Sequence, residues 1–247
     1  MKNFILLLPF LFAIHMSYGQ IQSGKVTYKI NPPTVEKLID TASVDAPAEA
    51  KKYVIKFLND RLKIVPYLEL ELLFSPYESV LNTNNIMTND NQLDLKGALG
   101  TTNTAGVYYN NIKKNLHIHQ LESMSKLFLI QSNYDDLEWE IHDEIKEIQG
   151  YTCIKATTNI VEPARDFPTT VWFAPDLPFP FGPKEFRGLP GLILAMEYNS
   201  FYFYAISIDL DTRQRNIKRP SKGEVLSKEE FNKKLLKFEQ KITPLKQ

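Results

Sequence analysis

Cysteine is nearly missing from this 247-residue chain: Cys153 stands alone, so no internal disulfide can form. Excess charge is missing too, with 29 Lys and Arg against 29 Asp and Glu. That balance removes the electrostatic footprint of a nucleic-acid binder, and no polybasic run marks an anionic lipid surface. Histidine is scarce, at four residues, which leaves few bases for nucleophilic catalysis. There is no Gly-x-Ser-x-Gly elbow, no His-Glu-x-x-His and no phosphate loop. No apolar run approaches the roughly 20 residues that a membrane-spanning helix needs.

What is present begins with an export signature. Met1-Lys2-Asn3 precedes an apolar run from Phe4 to Ile14, and His15-Met16-Ser17-Tyr18-Gly19-Gln20 supplies a small-residue exit. This reads as a cleavable signal peptide over residues 1–19, cut after Gly19. No cysteine lies near the exit, so no lipid anchor is expected. Residues 20–247 are then a single soluble exported domain. Cys153 lies in the alternating run Tyr151 to Ala156 and is expected to be buried and inert.

Hydrophobic periodicity sets the fold class. Val26, Tyr28 and Ile30 alternate with lysines and Thr27, which predicts a half-buried strand ended by Pro32-Pro33. A helical elaboration follows over about 34–65. Its main helix runs from Ala46 to about Leu62, with Asp45 as N-cap. From Tyr67 the period switches to two, and a further strand follows at Glu78 to Leu81. Residues 82–106 show little periodicity and read as a long loop. Strands are then expected at 107–109, 115–121, 126–131, 137–142, 144–148, 151–160, 169–173, 192–198 and 200–210. Their short connections allow hairpins but not helical crossovers. Ser227-Lys228-Glu229-Glu230 is a capping box opening a C-terminal helix striped by Phe231, Leu235 and Phe238. The fold class is therefore mainly β. An antiparallel meander of about ten strands forms a strongly curved sheet or half-barrel, with a helix over its open face or edge. The outline is similar to lipoprotein-carrier folds.

The densest motif is Gly188-Leu189-Pro190-Gly191-Leu192-Ile193-Leu194. Upstream stand Trp139, Trp172-Phe173-Ala174-Pro175-Asp176-Leu177-Pro178 and Phe181-Gly182-Pro183. Together these resemble the GLPGLI family of exported Bacteroidetes proteins, a Porphyromonas gingivalis-type family without established function, over roughly residues 107–212. The resemblance implies a periplasmic location and permits a link to an outer-membrane transport system. Physically, Pro190 restrains itself and Leu189, while Gly188 and Gly191 allow positive φ or close backbone approach. Gly188, Pro190, Gly191 and Leu192 are thus structural. Prolines 175, 178, 180 and 183 hold the preceding segment extended, and its spare carbonyls need partners. The segment is either a rigid apolar plug or the aromatic lip of a ligand groove. In the second case Trp172, Phe179, Phe181, Phe186 and Leu189 form walls, and Asp176, Lys184, Glu185 and Arg187 are polar contacts.

Candidate chemistry is thin. His117 and His119 fall on one face of a strand, about 6.5–7 Å apart at Cα, compatible with a shared metal if a third ligand exists. The leading expectation is a non-catalytic periplasmic binding or accessory protein. It would present a curved sheet to an apolar small molecule, a peptide or an envelope protein, with no cofactor. A metal-handling protein using His117 and His119, and a hydrolase without a recognisable motif, are the alternatives.

Overall fold

The structure, a computed structural model, describes residues 21–42, 48–84, 92–135, 137–162 and 165–242. The expected signal peptide and the expected Asp45 cap lie outside the described residues.

The chain opens with β1 (Ser23–Asn31), α1 (Val35–Ala42), α2 (Ala48–Leu62) and a 3-10 turn at Val65–Tyr67. Then come β2 (Glu69–Phe74), β3 (Glu78–Thr83), α3 (Gln92–Thr101), β4 (Val107–Asn111), β5 (Leu116–Ser123) and β6 (Lys126–Ser132). The second half is β7 (Glu140–Ile148), β8 (Tyr151–Glu162), β9 (Arg165–Ala174), β10 (Leu192–Tyr198), β11 (Phe201–Asp211), β12 (Glu224–Ser227) and α4 (Lys228–Ile242).

One twelve-stranded sheet holds all the strands of the described residues, in the order β12-β6-β5-β4-β3-β2-β1-β11-β10-β9-β8-β7. The mainly β expectation holds, with three corrections. The sheet is mixed, because β12 pairs with β6 in parallel, from Glu224 opposite Phe128 to Ser227 opposite Gln131. Four residues running into a helix carry too little alternation to announce a strand. The strands expected at 137–142 and 144–148 are one strand, β7, whose register with β8 slips between Ile141 and Ile145. A bulge of this kind breaks the alternation that periodicity reads. The loop expected over about 82–106 contains α3. Gly97 and Gly100 depress its helix propensity, and packing against α2 supplies what propensity lacks.

The topology explains the curl. β6 and β7 follow one another in the chain yet lie near opposite ends of the sheet order. The connection between them, described at 133–135 and 137–139, therefore crosses the mouth of a sheet that is curled but not closed into a barrel. The inward face is the core. Val26, Tyr28 and Ile30 on β1 and Leu70, Leu72 and Phe74 on β2 are all fully buried. Each such side chain contributes about 1.5–3 kcal/mol by leaving water. Tyr28 spends its hydroxyl within this core, donating to the Ile193 carbonyl at 2.7 Å. On β11, Phe201 and Phe203 face the core, while Tyr202 and Tyr204 stack half-exposed on the other face, 5.7 Å between ring centroids.

Candidate functional site

The Pro-rich connection between β9 and β10 plugs the inside of the curl. Three short turns are centred on prolines: Phe179 N–H donates to Leu177 O across Pro178, Phe181 N–H to Phe179 O across Pro180, and Gly191 N–H to Leu189 O across Pro190. Proline's fixed φ suits these three-residue turns. Several further carbonyls are taken within the fold. Leu177 O accepts from Leu192 N–H at 2.9 Å and Phe181 O from Ile193 N–H at 2.9 Å. Pro180 O accepts from Gly188 N–H at 3.0 Å and from the Tyr134 hydroxyl at 2.5 Å. The loop turns its apolar side chains into the core. Phe179 packs on Phe74 at 4.6 Å, Phe181 edge-on to Tyr134, and Phe186 edge-on to Tyr198 at 5.4 Å.

The residues expected to form a lip are therefore dispersed. Phe179, Phe181, Phe186 and Leu189 are 4% exposed or less and belong to the core cluster. Trp172 is half-buried on β9, where the Lys146 ammonium sits 4.1 Å from its ring centroid. Asp176 is exposed in the turn after β9. Gly188 has φ +90°, and Gly191 meets the chain closely, since a Cβ there would lie 2.3 Å from Ala174 O. Pro190 is exposed and Leu192 buried at the start of β10. Lys184 is buried with its ammonium 3.4 Å from the Tyr198 ring centroid.

Arg187 is the exception. Its guanidinium is buried and gathers backbone carbonyls. Nε donates to Tyr134 O at 2.8 Å, Nη2 to Asn133 O at 2.6 Å, and Nη1 to Glu185 O. It fastens the plug to the connection that spans the mouth, and it borders a cavity.

That cavity, about 620 Å³, lies between β5 and β6, the plug, the 133–139 connection and α4. His117, His119, Leu121 and Ser123 line it from alternate positions of β5, and Phe231 and Leu235 from α4. Tyr108, Ile130, Glu138, Asn159, Glu185, Arg187 and Lys228 also border it. So the structure brings together His117, His119, Glu185 and Arg187, which lie in two segments far apart in sequence. Sequence reasoning missed Tyr108, Glu138, Asn159 and the inner face of α4. The β5 alternation, followed past His119 to Leu121, was the one available signal.

The capping box of α4 forms as expected. Glu230 N–H donates to Ser227 Oγ at 3.1 Å, and Ser227 N–H to Glu230 Oε2 at 2.8 Å. Phe231 meets Phe128 edge-on at 5.4 Å and seats the helix on β6.

Both histidines are held away from the charged form. Burial, with Arg187 next, lowers the His117 pKa well below its ordinary value, and burial also lowers that of His119. Hydrogen bonds select the tautomers. His119 Nε2 lies 2.8 Å from Ala105 O, and a carbonyl only accepts, so Nε2 carries the proton. His117 Nδ1 lies 2.8 Å from Asn110 Oδ1, an amide oxygen that only accepts, and the Asn110 amide donates to Ser79 Oγ at 3.0 Å. His117 is therefore protonated at Nδ1 and keeps Nε2 as an acceptor, as His119 keeps Nδ1. Tyr108 stacks on His119 at 4.0 Å and donates its hydroxyl to Asn103 O at 2.9 Å. Among the described residues, no group of three or more His, Cys, Asp or Glu converges to hold a metal ion. Cys153 does not line the cavity, and burial pushes its thiol up to about 11.

Comparison with known proteins adds a family-model match over part of the chain and a likeness of fold. The family model described as a protein of unknown function (Porph_ging) matches residues 161–195. This agrees with the resemblance carried by Gly188 to Leu194, over a shorter stretch than the 107–212 expected from the sequence. No curated protein matches the chain. A solved structure of PNGF-II in a C2 space group matches with a TM-score of 0.51 at 15% identity, over 88% of this chain and 33% of that one. PNGF-II in a P21 space group matches with a TM-score of 0.47, also at 15% identity, over 84% and 31%. This chain spans about a third of the length of PNGF-II, and the likeness is one of fold alone.

Proposed function

We propose that the protein is a non-catalytic exported binding protein that takes an amphipathic small molecule into the cavity beneath α4. The observation that carries this reading is the cavity itself. At about 620 Å³ it falls within the size of small-molecule sites, roughly 300–1,000 Å³. Its lining mixes apolar side chains, Leu121, Ile130, Phe231 and Leu235, with polar ones, His117, His119, Glu185 and Lys228, so an occupant with both characters fits better than a purely apolar one. The bordering side chains also favour binding over chemistry. Each histidine is tied to an uncharged partner rather than to a carboxylate that would stabilise an imidazolium. Arg187 is committed to backbone carbonyls. The curled sheet with a helix at its mouth supports a lipoprotein-carrier-like outline by analogy, and a periplasmic carrier would hand its cargo to an envelope partner.

Native mass spectrometry of the protein recovered from its own periplasm tests this. One small-molecule adduct per chain is expected, and Leu235→Glu, a change on the half-exposed inner side of α4, should abolish it. A wild-type protein that carries no adduct and takes up no amphiphile from solution would refute the reading.

A further inference from the structure

The strap between β11 and β12 is strongly basic. Residues 212–223 hold Arg213, Arg215, Lys218, Arg219 and Lys222 and no Asp or Glu, in a chain whose charges balance. Gln214, Asn216, Ile217 and Pro220 interleave with the cations, so the sequence shows no run of like charge. The fold lines them up. β11 and β12 are seven places apart in the sheet order. At about 4.8 Å per strand the strap covers about 34 Å, and its length reaches about 40 Å only when extended.

The strap crosses the outer face of the sheet. Ile217 is buried there against Val80, Tyr109, Ile118 and Leu129. The Ser23 hydroxyl donates to Arg213 O at 2.7 Å near one end, and the Gln120 amide to Lys222 O at 2.8 Å near the other. Held at three points, the strap displays its cations without the ordering cost of a free tail. Arg213 and Arg215 share Asp211, whereas exposed Lys218, Arg219 and Lys222 form no ion pair among the described residues. The carboxylates around the strap are mostly engaged: Glu71 and Asp209 by Lys25, Glu78 by Tyr109 and Asn111, Glu224 by Lys234. Exposed Glu122 is the exception.

Aliphatic side chains adjoin the end of the strap. A Cβ at Gly223 would lie 2.9 Å from the Leu127 carbonyl oxygen, and Val225 pairs with Leu129 of β6. Leu127 is 36% and Val225 58% exposed, and alternation puts both on the face that Leu129 shares with Ile217. Cations draw a protein to anionic headgroups, and exposed aliphatics enter the interface behind them. A row about 30 Å long, from Arg213 to Lys222, matches a planar array of phosphates rather than a single anion.

We propose that the outer face along residues 212–223 docks on an anionic lipid surface, with Lys218, Arg219 and Lys222 against headgroup phosphates and Leu127 and Val225 in the interface. This surface is separate from the cavity beneath α4.

Cosedimentation of the full mature chain with vesicles tests it. Binding is expected to phosphatidylcholine vesicles that contain about 30% phosphatidylglycerol, and not to phosphatidylcholine alone. The triple variant Lys218→Gln, Arg219→Gln, Lys222→Gln should bind about a hundredfold more weakly, roughly fivefold per cation. Lys51, Lys52 and Lys56 are exposed on α2. Glutamine at all three changes net charge equally and should leave binding nearly unchanged. Equal loss in the two triple variants would assign the binding to net charge and overturn the proposal. Binding indifferent to phosphatidylglycerol, or no binding, would overturn it too. Tighter binding to soluble poly-L-glutamate than to the vesicles would overturn it in favour of an acidic protein partner. If the strap variant does not fold, wild type decides: binding undiminished at about 0.5 M salt would overturn the proposal.

Discussion

The indole N–H of Trp139 donates to the backbone carbonyl of Arg187 at 2.8 Å. This bond joins the connection that spans the mouth of the sheet to the Gly-Leu-Pro-Gly turn. Thr158 Oγ1 secures the same connection by donating to Glu138 O at 2.6 Å. Trp139→Phe keeps the contact with Phe186 but leaves the Arg187 carbonyl without this donor. We expect a loss of about 1 kcal/mol, read as a lower denaturant midpoint at unchanged slope. An unchanged midpoint would show that the bond contributes nothing.

The two glycines of the motif do different work, and the sequence could not separate them. Gly191 is held by close approach, since its Cβ would lie 2.3 Å from the Ala174 carbonyl oxygen, a backbone atom that cannot swing aside. Gly188 is held by conformation, at φ +90° with only Trp139 Nε1 near, at 3.9 Å. Gly191→Val should therefore cost about 3 kcal/mol or more, and Gly188→Ala about 1–2 kcal/mol. Equilibrium unfolding that reverses this order would contradict the assignment.

Burial of His117 makes stability depend on pH with a definite sign. Its folded pKa is lowered, chiefly by burial and then by the Arg187 charge. Below about 6.5 the unfolded chain takes up a proton that the folded chain refuses, so stability falls as pH drops. His119 acts in the same direction. Between pH 7 and 5 the unfolding free energy should decline, and His117→Gln should flatten the decline. A wild-type profile that rises on acidification would exclude neutral buried histidines.

Cys153 is buried on β8, and its thiol is pushed up to about 11 by that burial. A thiol-specific reagent at neutral pH should label the native protein only as fast as the sheet opens, and the denatured protein at once. Rapid native labelling would place the sulfur at the surface.

Ser227→Ala removes one half of the reciprocal cap that begins α4. The helix should lose about 1 kcal/mol locally, seen as faster amide exchange in residues 231–235 with little change in the core strands. Because α4 forms one wall of the cavity, amphiphile binding should weaken in parallel. Unaltered exchange there would separate the cap from the stability of the wall.

Much of this molecule is legible in the sequence because its signals are local. The β1 alternation of Val26, Tyr28 and Ile30 appears in the structure as an inward face. The Ser227–Glu230 cap appears as two reciprocal bonds. The prolines announced a rigid connection, and rigidity follows from turns that each span a few residues. Local signals failed where packing outweighs propensity, as in the glycine-containing α3, and where a bulge interrupts the period, as in β7.

The candidate site was decided by the tertiary structure. Alternation places His117, His119 and Leu121 on one face of β5, but it does not say what that face meets. Glu185 and Arg187 come from the plug and Phe231 and Leu235 from a C-terminal helix, and they reach β5 only because the sheet curls. The parallel pairing of β12 with β6 then delivers α4 to the mouth. Facing is set by the two-residue period of the strand, which each segment carries alone. Curl and the parallel register depend on the twist and hydrogen bonding of many strands together, and no single segment encodes them.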